Sequence, residues 1–245
     1  MGSGGKDLIL DVVPLLDGRF CGAASGTDRF DDRSASFDPL VPEVLGNDGI
    51  IARPAKGEFG RISRMLELGA HGIMYPRCES AAEAKQVVNA AKFAPIGKRG
   101  FDGSNPDAEF CLTPMADYVR IANENTFVLI QIEDPEAVDR AEEIAAVDGV
   151  DAIMLGPGDL SVLSGIPGQL DHPTIVKAFE KIAQAAKNAG KNWASITLSL
   201  DHARQLRDMG AMLLFHSADI IMVKQGLERI QREFATLGFK PRTVR

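Results

Sequence analysis

Two carboxylates and one amide stand where apolar runs give way to turns, and together they could hold a small divalent cation. The run FVLIQIEDPEA at 127–137 puts Gln131 and Glu133 two residues apart. In an extended strand that spacing sets both on one face, close to the start of the next helix. Further on, AIMLGPGDLS at 152–161 ends a second apolar run in Gly-Pro-Gly and presents Asp159 beside two flexible backbone amides, a turn that suits close approach of an anion. Two carboxylates and an amide from neighbouring strand ends make an oxygen-rich site of the kind Mg²⁺ or Mn²⁺ accepts, with positions left for water and a chelating substrate. Taken singly each is weaker: Glu133 reads equally as a cap or salt-bridge partner, and Asp159 as the N-cap of a short turn.

Cations also fall at such ends. Arg53 follows GIIA and precedes Pro54, where its fork of donors could hold a carboxylate or an enolate oxygen, or instead pair with Glu133 or Asp159. Arg77 after IMYP and Arg99 in PIGKRGF are a second and a third cation at strand ends; each alone reads as a surface charge. Of the four histidines, His71 opens a strand, His172 caps a helix in DHPT and His202 lies within one. His216, in LLFHSAD, is the sole histidine near a strand end and so the sole candidate for proton transfer, with an inert role favoured. There is no HxH or HExxH spacing for zinc and no GxSxG elbow for a serine hydrolase.

The elements that must position these residues alternate. Short apolar runs at 49–52, 71–75, 126–132, 152–155, 193–196 and 212–215 are separated by amphipathic stretches at 57–68, 81–92, 135–145, 173–189 and 201–209, and the last is followed by another at 224–237. That is the pattern of parallel strands each followed by a covering helix. Ser80 with Glu83 reads as a capping box, and Gly69, Gly190 and Gly210 sit where helices would end. The stretch 8–13 adds a seventh strand, whereas 17–48 shows neither period and holds a weakly signalled strand, a lid or a departure from the pattern. The expected fold is α/β, a (β/α)₈ TIM barrel in a single domain over 1–245 with an atypical N-terminal portion; the 245-residue length fits it. An open doubly wound sheet is the alternative, but it loses its main support with the absence of GxGxxG and GxxxxGK[ST] loops.

A net charge of -7 without any Lys/Arg cluster argues against a nucleic-acid partner. No stretch approaches the roughly 18 apolar residues of a membrane helix. Cys21, Cys78 and Cys111 lack CxxC spacing and read as reduced thiols of a cytoplasmic protein. MGSGG at 1–5 reads as a flexible start or an appended scar.

ARP at 52–54, LELGAHGIMYP at 66–76, AAKFAPIGKRG at 90–100, QIEDPEAV at 131–138 and VDGVDAIMLGPGDLS at 147–161, taken in order, resemble the HpcH/HpaI aldolase and citrate lyase beta-subunit family. Within it they look most like the class II 2-oxo acid aldolases, over about residues 49–237. The resemblance implies a TIM barrel with one divalent cation, Mg²⁺, Mn²⁺ or Co²⁺, on Glu133 and Asp159. It implies that Arg53 and Gln131 contact bound pyruvate, that the amides of Gly158 and Asp159 receive its carboxylate, and that Arg53, Glu133 and Asp159 form the catalytic set. The implied activity is a carbon-carbon lyase that cleaves or forms 4-hydroxy-2-oxo acids through a pyruvate enolate, with a 2-oxo acid and an aldehyde as its small-molecule partners. A homo-oligomer is implied too, a hexamer or trimer of dimers in which the helix at 224–237 crosses to a neighbour.

One departure stands out. The family's second strand ends in an acidic-His pair that moves the proton, whereas LILDVVPLLDG offers Asp11 and no histidine precedes His71. Oxaloacetate decarboxylation, which needs no base at the methyl carbon, then becomes a natural activity. The alternatives are a malyl- or citramalyl-thioester lyase, which should need a basic groove for coenzyme A that the sequence does not show, and a barrel that binds an oxo acid without turnover.

Overall fold

The computed structural model describes residues 50–238. Six strands form one curled, all-parallel sheet in sequence order: β1 (Ile51–Ala52), β2 (Gly72–Tyr75), β3 (Phe127–Ile132), β4 (Ala152–Leu155), β5 (Asn192–Thr197) and β6 (Leu213–His216). Each strand bonds to the one before it, with Gly72 opposite Phe127, Leu129 opposite Ala152, and Thr197 opposite His216. Helices fill the crossovers: α1 (Phe59–Glu67), α2 (Ala81–Ala91), α3 (Met115–Asn125), α4 (Pro135–Asp139), α5 (Ala141–Ala145), α6 (Pro157–Leu163), α7 (Pro173–Asn188) and α8 (Leu200–Asp208), with α9 (Asp219–Ala235) after β6.

The strands are apolar on both faces because both faces are covered. Ile73, Val128, Ile130, Ile132, Ile153, Leu155, Trp193 and Leu214 pack outward against the helices. The alternate residues, Met74, Leu129, Ala152, Met154, Ala194 and Phe215, form a second, smaller cluster on the other face. This alternation decides which strand-end side chains can meet.

Local signals act as the sequence indicates. Ser80 Oγ accepts the Glu83 N–H at 3.2 Å, and Glu83 reaches back to accept the N–H of Glu79 at 2.8 Å, one residue before the cap itself. His172 accepts the Thr174 N–H as a cap. Gly69, Gly190 and Gly210 close their helices at φ 99°, 65° and 92°, conformations costly for other residues. The 135–145 stretch divides into α4 and α5 at Arg140 (φ -100°, ψ 11°). The last helix begins at Asp219 rather than at 224. A 3₁₀ turn at Pro106–Cys111 and the helix α3 fill a stretch where no element was expected.

The described strands number six; the expected strand at 8–13, the segment 17–48 and residues 1–5, with Asp11 and Cys21, lie outside the described residues. Among the described residues no helix is long and apolar enough to cross a membrane. Helix α9 buries none of its side chains, leaving Ile220 57% and Leu227 56% exposed.

Candidate functional site

Glu133 lies one residue past β3 and is only 4% exposed. Alternation carries Gln131 and Glu133 onto the face of Leu129 and the smaller cluster. Both carboxylate oxygens are held: Oε1 accepts from Gln131 Nε2 at 2.7 Å, and Oε2 accepts from the main-chain N–H of Arg77 at 3.0 Å. Arg77 can donate because the chain after β2 turns into the left-handed region there, at φ 50°. The next residue, Cys78, donates its N–H to the Gln131 carbonyl at 3.0 Å, which fixes the turn against β3.

Across from Glu133 stands the Gly156–Asp159 turn. A Cβ on Gly156 would overlap Glu133 Oε1 and lie 2.5 Å from Glu133 Cγ, so this glycine makes room for the carboxylate. Its φ of -98° is ordinary, and the requirement is one of space rather than of backbone conformation. Gly158, by contrast, is exposed and has nothing within 4 Å of where a Cβ would be. Ser161 Oγ donates to the Gly158 carbonyl at 2.7 Å and accepts the Gly168 N–H at 3.0 Å, tying down the turn. Gly156, not Asp159, caps α6; Asp159 is exposed in its first turn.

Burial pushes the Glu133 carboxyl up to about 7, and the charge of Asp159 pushes the same way. The Arg77 N–H and the positive charges of Arg53 and Arg77 oppose them. Sequence reading therefore found members of one electrostatic group in Glu133, Gln131, Asp159 and Arg53. Arg53 is partly exposed just beyond β1, and no carboxylate of a described residue lies within 4.0 Å of it, so the expected alternative of an ion pair with Glu133 or Asp159 is not formed.

Two other residues expected at strand ends lie away from Glu133. Arg99 is not at the site: its side chain is 2% exposed, pairs with Asp107 at 2.6 Å and lies over the Phe93 ring at 4.8 Å. It lines a cavity of about 330 Å³ with His71 and Thr126, which precede β2 and β3, at the opposite end of the sheet from Glu133. His216 shares the alternation of Leu214, which packs among the helices, and its Nδ1 lies 2.8 Å from Thr197 Oγ1. It is turned to the other face of the sheet from Glu133.

Sequence reading missed the roles of Gly156 and of the Arg77 main chain. Both connect residues far apart in the chain, and only the glycine carried a local signal. Among the described residues, no three His, Cys, Asp or Glu side chains gather closely enough to enclose an ion. Of the described side chains, Glu133 and Asp159 could hold one with water or substrate helping to complete the shell.

Comparisons with known proteins point to a single family. Residues 50–222 match the family model for HpcH/HpaI aldolase/citrate lyase. A pyruvate aldolase from Rhizobium etli is 34% identical over 76% of this chain and 72% of its own length. A 4-hydroxy-2-oxo-heptane-1,7-dioate aldolase from Klebsiella pneumoniae is 31% identical over 75% of this chain and 69% of its own. The crystal structure of an HpcH/HpaI aldolase from Desulfitobacterium hafniense superposes with a TM-score of 0.74 at 30% identity, covering 84% of this chain and 78% of that one.

Proposed function

The chain belongs to the HpcH/HpaI aldolase/citrate lyase family, and on that premise we propose that it is a divalent-metal-dependent 2-oxo acid aldolase, making or breaking 4-hydroxy-2-oxo acids through a pyruvate enolate. Relatives named for pyruvate and 4-hydroxy-2-oxo acid cleavage support a carbon-carbon lyase. The observation that carries the reading is the buried Glu133 carboxylate, braced by Gln131 and the Arg77 N–H, with the charge of Asp159 close enough to disfavour its ionisation.

The residues fit a cation. Gln131 Oε1 is buried without a hydrogen-bond partner among the described residues, and the mutual repulsion of Glu133 and Asp159 is what an ion between them would offset. A divalent cation held by Glu133 and Asp159, Mg²⁺ first and Mn²⁺ or Co²⁺ as alternatives, supplies Lewis acidity toward the keto oxygen of a 2-oxo acid. Arg53, without an ion-pair partner among the described residues, shares the negative charge that gathers on that oxygen. Gln131 orients the substrate, and the amides of Gly158 and Asp159 receive its carboxylate at the exposed start of α6. With His216 turned away, no described histidine at the strand ends reaches this face. Oxaloacetate decarboxylation, which needs no base at the methyl carbon, is therefore a second reaction of the same site.

The same reading closes the six described strands into a (β/α)₈ barrel. It also covers α9 with a second copy of the chain in a hexamer or trimer of dimers, as the exposed Ile220 and Leu227 invite. Replacing both by Asp is expected to lower the mass measured by light scattering. A wild-type monomer, or an unchanged mass in the variant, would remove the oligomer from the proposal.

The deciding experiment is pyruvate release from a panel of 4-hydroxy-2-oxo acids, and from oxaloacetate, with and without Mg²⁺ or Mn²⁺. The expected result is turnover that a chelator abolishes and either ion restores. Tight pyruvate binding with no turnover of any substrate would make the chain a binding protein instead.

A further inference from the structure

We propose that Arg77 selects substrates whose end remote from the 2-oxo acid carries a carboxylate, so that the preferred substrates are dianions. This rests on the aldolase reading above and adds a specificity residue to it.

The backbone of Arg77 is held from three sides. Its N–H donates to Glu133 Oε2 at 3.0 Å, its carbonyl accepts from Lys56 Nζ at 2.8 Å, and Pro76 and the Cys78 N–H on the Gln131 carbonyl flank it. It does so at φ 50°, a conformation in which a side chain with a Cβ is strained. The side chain is exposed and has no hydrogen-bond or ion-pair partner among the described residues.

This sets Arg77 apart from most of the described arginines. Arg61, Arg64, Arg99, Arg120, Arg140, Arg204, Arg207 and Arg229 each lie within 4.0 Å of a carboxylate. Among the described residues, those without one are Arg53 and Arg77, both at strand ends beside Glu133, and Arg232 on the exposed last helix. A rigid backbone carrying an unpaired guanidinium at the rim of a site is a built receptor for an anion.

Charge at the described strand ends points the same way. Among the described residues the side chains of Arg53 and Arg77 balance those of Glu133 and Asp159, so a divalent cation would leave these four with two positive charges in excess. One carboxylate of a 2-oxo acid answers half of that excess. A second, at the far end of the substrate, answers the rest, and Arg77 is the cation not already assigned to the reacting end.

The test compares two substrates of equal chain length, 4-hydroxy-2-oxoglutarate and 4-hydroxy-2-oxopentanoate, which differ in a terminal carboxylate against a methyl. In parallel, calorimetry measures the binding of 2-oxoglutarate and 2-oxopentanoate to the Mg²⁺-loaded protein. The wild type is expected to favour the dicarboxylate by about ten- to a hundredfold in each pair, the size of one charge-assisted contact. In Arg77→Asn, which keeps the N–H and tolerates the left-handed backbone, the ratio should fall to near one; Arg77→Lys should keep part of it. Equal use of both members by the wild type, or a preference that survives Arg77→Asn, overturns the proposal. If no hydroxy-oxo acid is cleaved at all, the aldolase reading fails, and the binding pair still decides the role of Arg77 by the same ratios.

Discussion

Glu133→Gln is expected to lower kcat/KM for metal-dependent pyruvate release by on the order of 10³-fold, about 4 kcal/mol of lost transition-state stabilisation. The fold should survive, and the reason lies in the hydrogen bonds. Glu133 now accepts two, from Gln131 Nε2 and from the Arg77 N–H. A glutamine there can keep the second through its oxygen and donate its NH₂ to Gln131, whose Oε1 is at present unpartnered, once the Gln131 amide turns over. The substitution removes a buried charge and adds no further orphan, since the turned Gln131 NH₂ only takes the unpartnered place its Oε1 holds now, so without divalent cation the thermal midpoint should be at or above that of the wild type. Adding Mg²⁺ should raise the wild-type midpoint and leave the variant unmoved. Retention of more than a tenth of the activity would show that Glu133 is not a ligand.

The second large effect is expected from Gly156→Ala. One methyl group would meet Glu133 Oε1 and come within 2.5 Å of Cγ and 2.8 Å of Cδ. The carboxylate has no easy retreat, since both its oxygens are tied. A stability cost of about 1–3 kcal/mol is expected from overpacking, with kcat/KM falling about a hundredfold as the carboxylate shifts. Urea unfolding and steady-state kinetics on the same preparation measure both. Gly60→Ala is the control for the chemical change alone, since a Cβ there has nothing within 4 Å inside α1. It should be stabilising by about 0.5–1 kcal/mol. If the two variants behave alike, the close approach of Gly156 to Glu133 is wrong.

Much of this arrangement was legible in the sequence, and what escaped did so for identifiable reasons. The apolar runs marked all six described strands because a sheet covered on both faces needs unbroken Ile, Val, Leu and Met. Glu133 and Gln131 could be paired from their spacing alone. The same unbroken character hid the direction of His216. When both faces are apolar, nothing local says which one Leu214 and His216 share, and the packed clusters had to supply it. Helix α3 was missed because only Tyr118 of its eleven residues is buried, leaving little of the periodicity that marks a covering helix. Arg99 looked like a strand-end cation because it follows an apolar stretch; α2 lies between it and β2, and carries it to the far end of the sheet. The bond from residue 77 to Glu133 spans 56 positions, and no local pattern encodes a partner that distant.

That bond has a consequence for how such a site can change over time. What residue 77 gives Glu133 is a main-chain N–H, which nineteen of the twenty amino acids possess. The side chain attached to it has no hydrogen-bond or ion-pair partner among the described residues, so residues that accept the left-handed backbone at φ 50° can be sampled there without disturbing the grip on the carboxylate. Reaction chemistry and substrate choice are thereby separable at a single position. The first is written in the backbone and shielded from mutation; the second is left open to selection.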